Sequence, residues 1–390
     1  MNPNSKSNMD KKIICLSFIE NKSGEKLSEL INKKSSNASL ASFRLQMYPA
    51  LIAAKTLNFD RSLWSMHSAH PDDFLHLGNA SICLVGKMST TDELLSHSMA
   101  MANLAAISRL KRKGTHISLL YCDHQIIKQN NIAELYSDLI YYADSIIFPS
   151  VAMQKLASAY IRKNLCQYVI RDPWQIKNLK DYRKKMGDKA YTIGWFGAPN
   201  NTAYLCNALK QIKDPALLRM KLTFRFLGRP ISHELIKVTI QDKAFAKSKW
   251  KFEMITWDNN SQPQQLENFL SKIDIAVIPS DPEDPAKIGV SHNRLIDSIR
   301  SGCIPIASPM PSYKELSKIC LLGKDFNQLL KAAILNYDRL CDKYSIYREK
   351  LVSPFDPATN IKNWELILRD IQKNTMVKSK NIDTCNPIFL

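Results

Sequence analysis

The stretch richest in chemically useful side chains begins where the apolar run Ile275-Ala276-Val277-Ile278, preceded by Asp274, stops at Pro279. A polar loop follows over Asp281–Lys287, and then Ser291-His292-Asn293-Arg294-Leu295-Ile296-Asp297. Ser291 is placed to cap a helix whose early residues include Arg294 and Asp297, three apart and on one face. The first N–H groups of a helix lack partners and form its positive end, so an arginine beside them suits a diphosphate. A carboxylate one turn further in suits a ribose diol. An ordinary helix with a surface Arg–Asp pair has the same pattern. Behind it, Ser301-Gly302-Cys303-Ile304-Pro305-Ile306-Ala307-Ser308-Pro309 reads as a glycine helix stop running straight into a strand.

A second stretch, Ile193-Gly194-Trp195-Phe196-Gly197-Ala198-Pro199-Asn200-Asn201-Thr202, reads as strand, glycine loop and helix. Gly197 lets backbone approach a ligand, and Asn201 or Thr202 can cap the helix. It is neither GxGxxG nor a Walker loop, and a tight turn would look the same. In the first half, Gly86-Lys87 follows the strand Ile82–Val85, and Asp123-His124 follows His116–Tyr121. Asp123 or His124 at a strand end can serve as a general base, or simply fix a turn. His67 and His70 read as structural or exposed. No DxD-like clamp, Ser-His-Asp set, HExxH or haem pattern is present, so no metal is expected.

These positions make sense only if strands and helices alternate. Strands are expected at Lys12–Ile19, Ala80–Val85, His116–Tyr121, Ser145–Phe148 and Gln167–Ile170. Helical patterns lie between them at Phe43–Leu57, Glu93–Arg112, Ile132–Ala143 and Val151–Ile161. Arg171–Lys189 breaks the rhythm. A second series then runs through Tyr191–Phe196, Leu222–Leu227, Lys251–Trp257, Ile273–Ile278, Ile304–Ala307 and Ile319–Leu322, with helices at Thr202–Ile212, Gln264–Ser271, Ser291–Ser301, Phe326–Lys343 and Ile361–Lys373. This grammar predicts an α/β protein of two Rossmann-like, doubly wound domains facing a cleft, with ligands outside the carboxyl ends of the strands. The expected boundaries are a disordered start over 1–12, an N-terminal domain over 13–175 and a linker over 176–189. A C-terminal domain over 190–352, a helix over 353–374 crossing back to the N-terminal domain, and a tail over 375–390 complete the chain.

The chain has 390 residues, long enough for two or three domains. At 45% hydrophobic and 23% charged, it is globular in composition, which excludes disorder, collagen and coiled coil. Its net charge of +18 asks for an anionic partner: nucleic acid, phosphates or a membrane surface. Nine cysteines without a CxxC suit a reducing compartment better than a disulfide framework or a zinc site. The first apolar run is too short for a signal sequence, and no run approaches a membrane span. A cytoplasmic protein is expected, at most peripheral to the inner face of a membrane.

With these residues in place, the sequence resembles the GT-B glycosyltransferases, and within them the bacterial group 1, family 4-like class. Ser291–Asp297 followed by Ser301–Ser308 is similar to the donor-site signature of that class, in which a basic residue at a helix start is followed by an acidic one three positions on and then by an A-G-x-P-V-x-A-S strand. Ala41-Ser42-Phe43-Arg44 resembles the opening of its first long helix, and Leu120-Tyr121-Cys122-Asp123-His124 a CDxH-like strand end. Asp144–Ser150 and Tyr168-Val169-Ile170-Arg171-Asp172-Pro173 resemble later landmarks of the same domain. The likeness spans roughly residues 12–370.

The resemblance implies a metal-independent transfer of a sugar from a nucleotide-diphosphate sugar, a co-substrate and not a cofactor, to a hydroxyl of a glycan or lipid-linked acceptor in cell-surface polysaccharide or glycoconjugate synthesis. Retention of configuration is also implied. Arg294 would bind the diphosphate with Lys287, Asp297 the ribose, and Ser291 and Asn293 the phosphate or sugar. Gly197 would lie under the sugar or acceptor, and Trp257 would help hold the base. The N-terminal domain would take the acceptor, with Lys87, Asp123 and His124 facing it and Asp123 or His124 as base or electrostatic partner to its hydroxyl, and the C-terminal domain would take the donor. The class often carries an acidic residue where this chain has Gly289, and some relatives carry lysine where it has Val290. A non-catalytic GT-B-like binding module is therefore the alternative. A basic nucleic-acid-binding or nucleic-acid-modifying protein is the second alternative, although no aromatic-interleaved basic motif accompanies the charge.

Overall fold

The computed structural model describes residues 11–17, 41–67, 70–87, 93–127, 131–185, 190–258 and 262–382. Of the expected disordered start, residues 1–10 lie outside them, whereas Lys12 already belongs to a strand; the last residues of the tail, 383–390, lie outside them too. The chain divides into two compact units. Unit 1 joins Met1–Asp172 to Pro357–Leu390, and unit 2 is Pro173–Asp356.

Unit 1 holds a parallel six-stranded sheet made of β1 (Lys12–Ser17), β2 (Asp60–Ser65), β3 (Ile82–Val85), β4 (His116–Leu120), β5 (Ser145–Phe148) and β6 (Cys166–Val169), in the order β2-β1-β3-β4-β5-β6. Side chains alternate across it as a strand period of two requires. Ile14 and Leu16 enter one apolar cluster with Cys83, Val85 and Ile117. Ile13 and Cys15 enter the other, with Ile82 and Leu84. That second cluster is closed by the C-terminal helix Pro357–Ile382, whose Trp364, Ile367, Leu368 and Ile371 are buried beside Ala50 and Leu51 of the helix Tyr48–Thr56. No strand was expected at β2, because Asp-Arg-Ser-Leu-Trp-Ser buries only Leu63 on an edge strand. The C-terminal helix also extends beyond the expected Ile361–Lys373 at both ends.

Unit 2 holds β7 (Tyr191–Phe196), β8 (Leu222–Gly228), β9 (Lys251–Thr256), β10 (Ile275–Ile278), β11 (Ile304–Ala307) and β12 (Leu321–Leu322), all parallel, in the order β12-β11-β10-β7-β8-β9. Ile193 and Trp195 face the larger core with Phe224, Phe226 and Val277. Phe196, Leu227, Ala276 and Cys303 face the smaller one. Gly194 must be glycine, since a Cβ there would sit 2.7 Å from Ile273. The chain winds outward from β7 to β9 and then restarts at β10 on the other side. This reversal opens a crevice at the carboxyl ends of β7 and β10. In unit 1 the reversal lies between β1 and β3.

Candidate functional site

Three loops converge at the crevice of unit 2. The first leaves β7 at Gly197, where a Cβ would come within 3.0 Å of the Trp195 indole, so glycine is needed for that close approach. A short 3-10 turn, Pro199–Asn201, leads into the helix Thr202–Gln211. Neither Asn201 nor Thr202 caps that helix as expected. Asn201 makes no cap bond, and the buried Thr202 hydroxyl donates to Ser232 Oγ at 2.9 Å.

The second loop, residues 279–292, docks onto the first. Lys287 Nζ donates to Asn201 Oδ1 at 3.4 Å and lies 5.8 Å from the centre of the Tyr204 ring. The Tyr204 hydroxyl donates to Asp284 Oδ2 at 2.9 Å. Burial and the neighbouring carboxylate push the Tyr204 phenol up to about 12. Asp284 also accepts the Ala286 N–H at 2.9 Å, which makes it the organiser of the loop. The third loop follows β11, where Ser308 accepts the Ser280 N–H at 2.9 Å and donates to Ser280 O at 2.6 Å, tying the ends of β10 and β11 together.

The helix Asn293–Arg300 starts where these loops meet. Its N-cap is His292, not Ser291, and no side chain caps it. His292 is 1% exposed, its Nε2 lying 2.6 Å from both Ser312 O and Glu315 Oε1. The guanidinium of Arg294 lies near the hydroxyl of Tyr313, which is fully buried and whose pKa is raised by that burial. Ser291 Oγ, His292 Nδ1, Arg294 Nη1 and Ser312 Oγ are all sealed from solvent and find no hydrogen-bond partner among the described residues. Four such atoms around one uncapped helix start form a concentration of unmet hydrogen-bonding capacity. Its donors suit an anion. Tyr313, Ser312 and His292 were not singled out from the sequence, because a serine, tyrosine or histidine in a polar loop carries no signal of its own.

Asp297 is placed differently from expectation. It is 1% exposed, and its two oxygens accept the Gln175 N–H at 2.8 Å, the Gln175 side-chain amide at 3.0 Å and the Ile176 N–H at 3.4 Å. These partners take the lone pairs a ribose would need. Trp257 follows the edge strand β9, is half-buried against the Phe196–Phe269 cluster, and donates its backbone N–H to Gly228 O at 2.9 Å. Asn293 is half-buried at the helix start, and Gly289 is buried in the second loop.

In unit 1, Lys87 and Asp123 form a salt bridge beyond the ends of β3 and β4. Burial works against the Lys87 charge, but the Asp123 field and hydrogen bond outweigh it and hold the ammonium above its ordinary value. Next to them the Cys122 thiol donates to Gln46 Oε1, and Gln46 Nε2 donates to Asp172 Oδ1 at 2.9 Å. His124 is 1% exposed, with Nδ1 2.9 Å from the Tyr121 hydroxyl and its ring edge-on to Tyr160. Burial lowers its pKa. A neutral ring enclosed in this way is a packing element, which corrects the expectation that it faces an acceptor; Asp123 is the accessible group of the pair. No group of three His, Cys, Asp or Glu among the described residues is arranged to hold a metal. No described helix is long and apolar enough to cross a membrane.

No family model and no curated protein matches the sequence. Solved structures do match. Anabaena Alr3699/HepE in complex with UDP-glucose aligns with a TM-score of 0.60 at 12% identity, over 92% of this chain and 99% of that one. An α-glucosyltransferase in complex with UDP-glucose and DNA containing an abasic site aligns at 0.56 and 12%, over 92% and 99%. The lipopolysaccharide outer core galactosyltransferase WaaB, in its apo form, aligns at 0.52 and 12%, over 94% and 99%. At such identities the likeness is one of fold. The chain has the α/β architecture of two Rossmann-like units expected from its sequence, the GT-B fold of these glycosyltransferases.

Proposed function

We propose that the protein is a glycosyltransferase that moves a sugar from a nucleotide-diphosphate sugar to an acceptor hydroxyl. The observation that carries this reading is the group of buried, unpartnered polar atoms at the start of the helix Asn293–Arg300, with Arg294 Nη1 and Ser291 Oγ among them. Arg294, Lys287, Ser291, Asn293 and the helix N–H groups hold the diphosphate and stabilise the charge that develops on it as the glycosidic bond breaks. Gly197 leaves room beside β7 for the sugar, and Trp257 offers a face for the base. Lys87 and Asp123 serve the acceptor hydroxyl. The transfer needs no metal, since cationic side chains and the helix end take that part. The acceptor is a glycan or a lipid-linked sugar in cell-surface polysaccharide or glycoconjugate synthesis, and configuration is retained. The UDP-glucose in two of the fold relatives makes uridine the first base to test.

A second reading keeps the transfer and changes the acceptor to a nucleic acid. Its support is the net charge of +18 and the fold relative that holds DNA beside UDP-glucose. A third keeps donor binding without turnover, because Gly289 leaves the loop without the carboxylate common in the resembling class.

The test is a thermal-shift series with UDP-, GDP-, ADP- and CMP-sugars, beside Arg294→Ala, followed by nucleotide release with glycan, lipid-linked and DNA acceptors. The expected result is a shift for one base, lost in the variant, with turnover on a glycan or lipid-linked acceptor. A shift without release on any acceptor selects the binding module. No shift with any nucleotide removes the donor site.

A further inference from the structure

The positive charge is concentrated. Residues 219–251 carry nine basic and two acidic side chains, a net +7 of the chain's +18 within 33 residues. The same segment contains the helix Pro230–Ile240, on which Ile231, Leu235 and Val238 are 63%, 51% and 71% exposed. Their spacing of four and three puts them in one row. Ser232, His233, Ile236 and Thr239, on the opposite side, are buried against unit 2. A row of three large aliphatic side chains in water is unusual within so basic a segment, although Arg225 is held apart from it by Glu253 and the Phe269 ring.

The fold gathers the charge near the end of this row. Lys249 N donates to Leu218 O at 2.9 Å, and the Trp250 indole donates to Leu217 O at 2.9 Å. These bonds bring the exposed Arg219, Lys221, Lys249 and Lys251 to the edge where β8 and β9 begin. The helix Pro230–Ile240 returns to the same edge, because β8 and β9 are parallel.

We propose that this face of unit 2 docks on an anionic lipid bilayer, with Ile231, Leu235 and Val238 entering the headgroup–acyl boundary and the surrounding lysines and arginines resting on lipid phosphates. Both halves of the surface are then used: aliphatic insertion and electrostatic attraction are the two contributions that hold an interfacial helix. A nucleic acid would use the charge and leave the aliphatic row in water. The proposal does not depend on the donor site.

The test is co-sedimentation of the full chain with phosphatidylcholine vesicles, with and without phosphatidylglycerol. Binding is expected only with the anionic lipid and is expected to weaken as salt is raised. Leu235→Ser/Val238→Ser lowers the partition coefficient by about tenfold or more, and Lys249→Glu/Lys251→Glu by about tenfold or more. Both pairs are exposed, so the melting temperature is unchanged. The proposal is overturned by absence of sedimentation, by equal sedimentation with neutral vesicles, or by full retention in the aliphatic variant. Binding of a DNA duplex that falls equally in the aliphatic variant would assign the face to nucleic acid and overturn it too.

Discussion

Asp297 accepts the backbone N–H of Gln175 at 2.8 Å, and this bond ties the helix Asn293–Arg300 to the segment by which the chain enters unit 2. The same helix ends at Arg300, which donates to Ile176 O at 2.9 Å and Lys177 O at 2.8 Å and lies 3.6 Å from the centre of the Trp174 ring. Asp297→Ala would strand two N–H groups and an amide, so unit 2 should lose about 3 kcal/mol or more, or roughly 6–12 °C of melting temperature. Asp297→Asn keeps one acceptor and should lose about half as much. A urea titration followed at the Trp195 and Trp250 fluorescence reads both; unchanged midpoints would deny Asp297 this role.

Gly302 makes the same segment sensitive to a single methyl group. Its φ is +74°, and a Cβ there would run into the carbonyl oxygen of Asp181. Gly302→Ala combines a left-handed backbone with a backbone clash and should destabilise unit 2 by about 2–4 kcal/mol. Soluble yield and denaturant midpoint measure it. A variant as stable as the parent would show that residues 180–181 are free to shift.

Asp123→Asn removes the charge partner of Lys87. Under the proposed function, transfer should fall by about 10²–10⁴-fold, with the donor-induced thermal shift intact. Equal loss of donor binding would place Asp123 outside the acceptor chemistry.

His124 gives unit 1 an acid-sensitive element. Burial holds its folded pKa below the ordinary 6.5. Above that value both folded and unfolded chains carry a neutral ring, and the contribution is fully present. As pH falls below it, the unfolded chain takes up a proton first, and stability is lost until the folded pKa is reached. The slope approaches about 1.4 kcal/mol per pH unit for one proton. His124→Asn should flatten this part of the stability–pH curve; an unchanged slope would assign it to other groups.

The strands of both sheets were legible because buried parallel strands are continuous apolar runs, as in Ile275–Ile278 and Ile304–Ala307. The edge strand Asp60–Ser65 was not, since one buried residue in six leaves no pattern. The helix that carries Arg294 was legible from residue type and spacing, although its cap is His292 and not the expected Ser291. The use of Asp297 was not: its partners lie more than a hundred residues away, and a carboxylate looks the same in sequence whether it meets a ribose or a backbone N–H. His124 was read as an acceptor-facing base for the same reason, because exposure is a property of the packed unit and not of the residue.

The return of the C-terminal helix to unit 1 fixes an order of events during synthesis. Unit 2 is complete once residue 356 has left the ribosome, with its entrance and exit already joined by Trp174 N–H donating to Phe355 O at 3.0 Å. The apolar cluster around Ile13 and Cys15 must wait for Trp364 and Leu368. The half of the protein that is made first is therefore finished last, and a nascent chain halted at residue 356 would carry a folded second half behind an open first one.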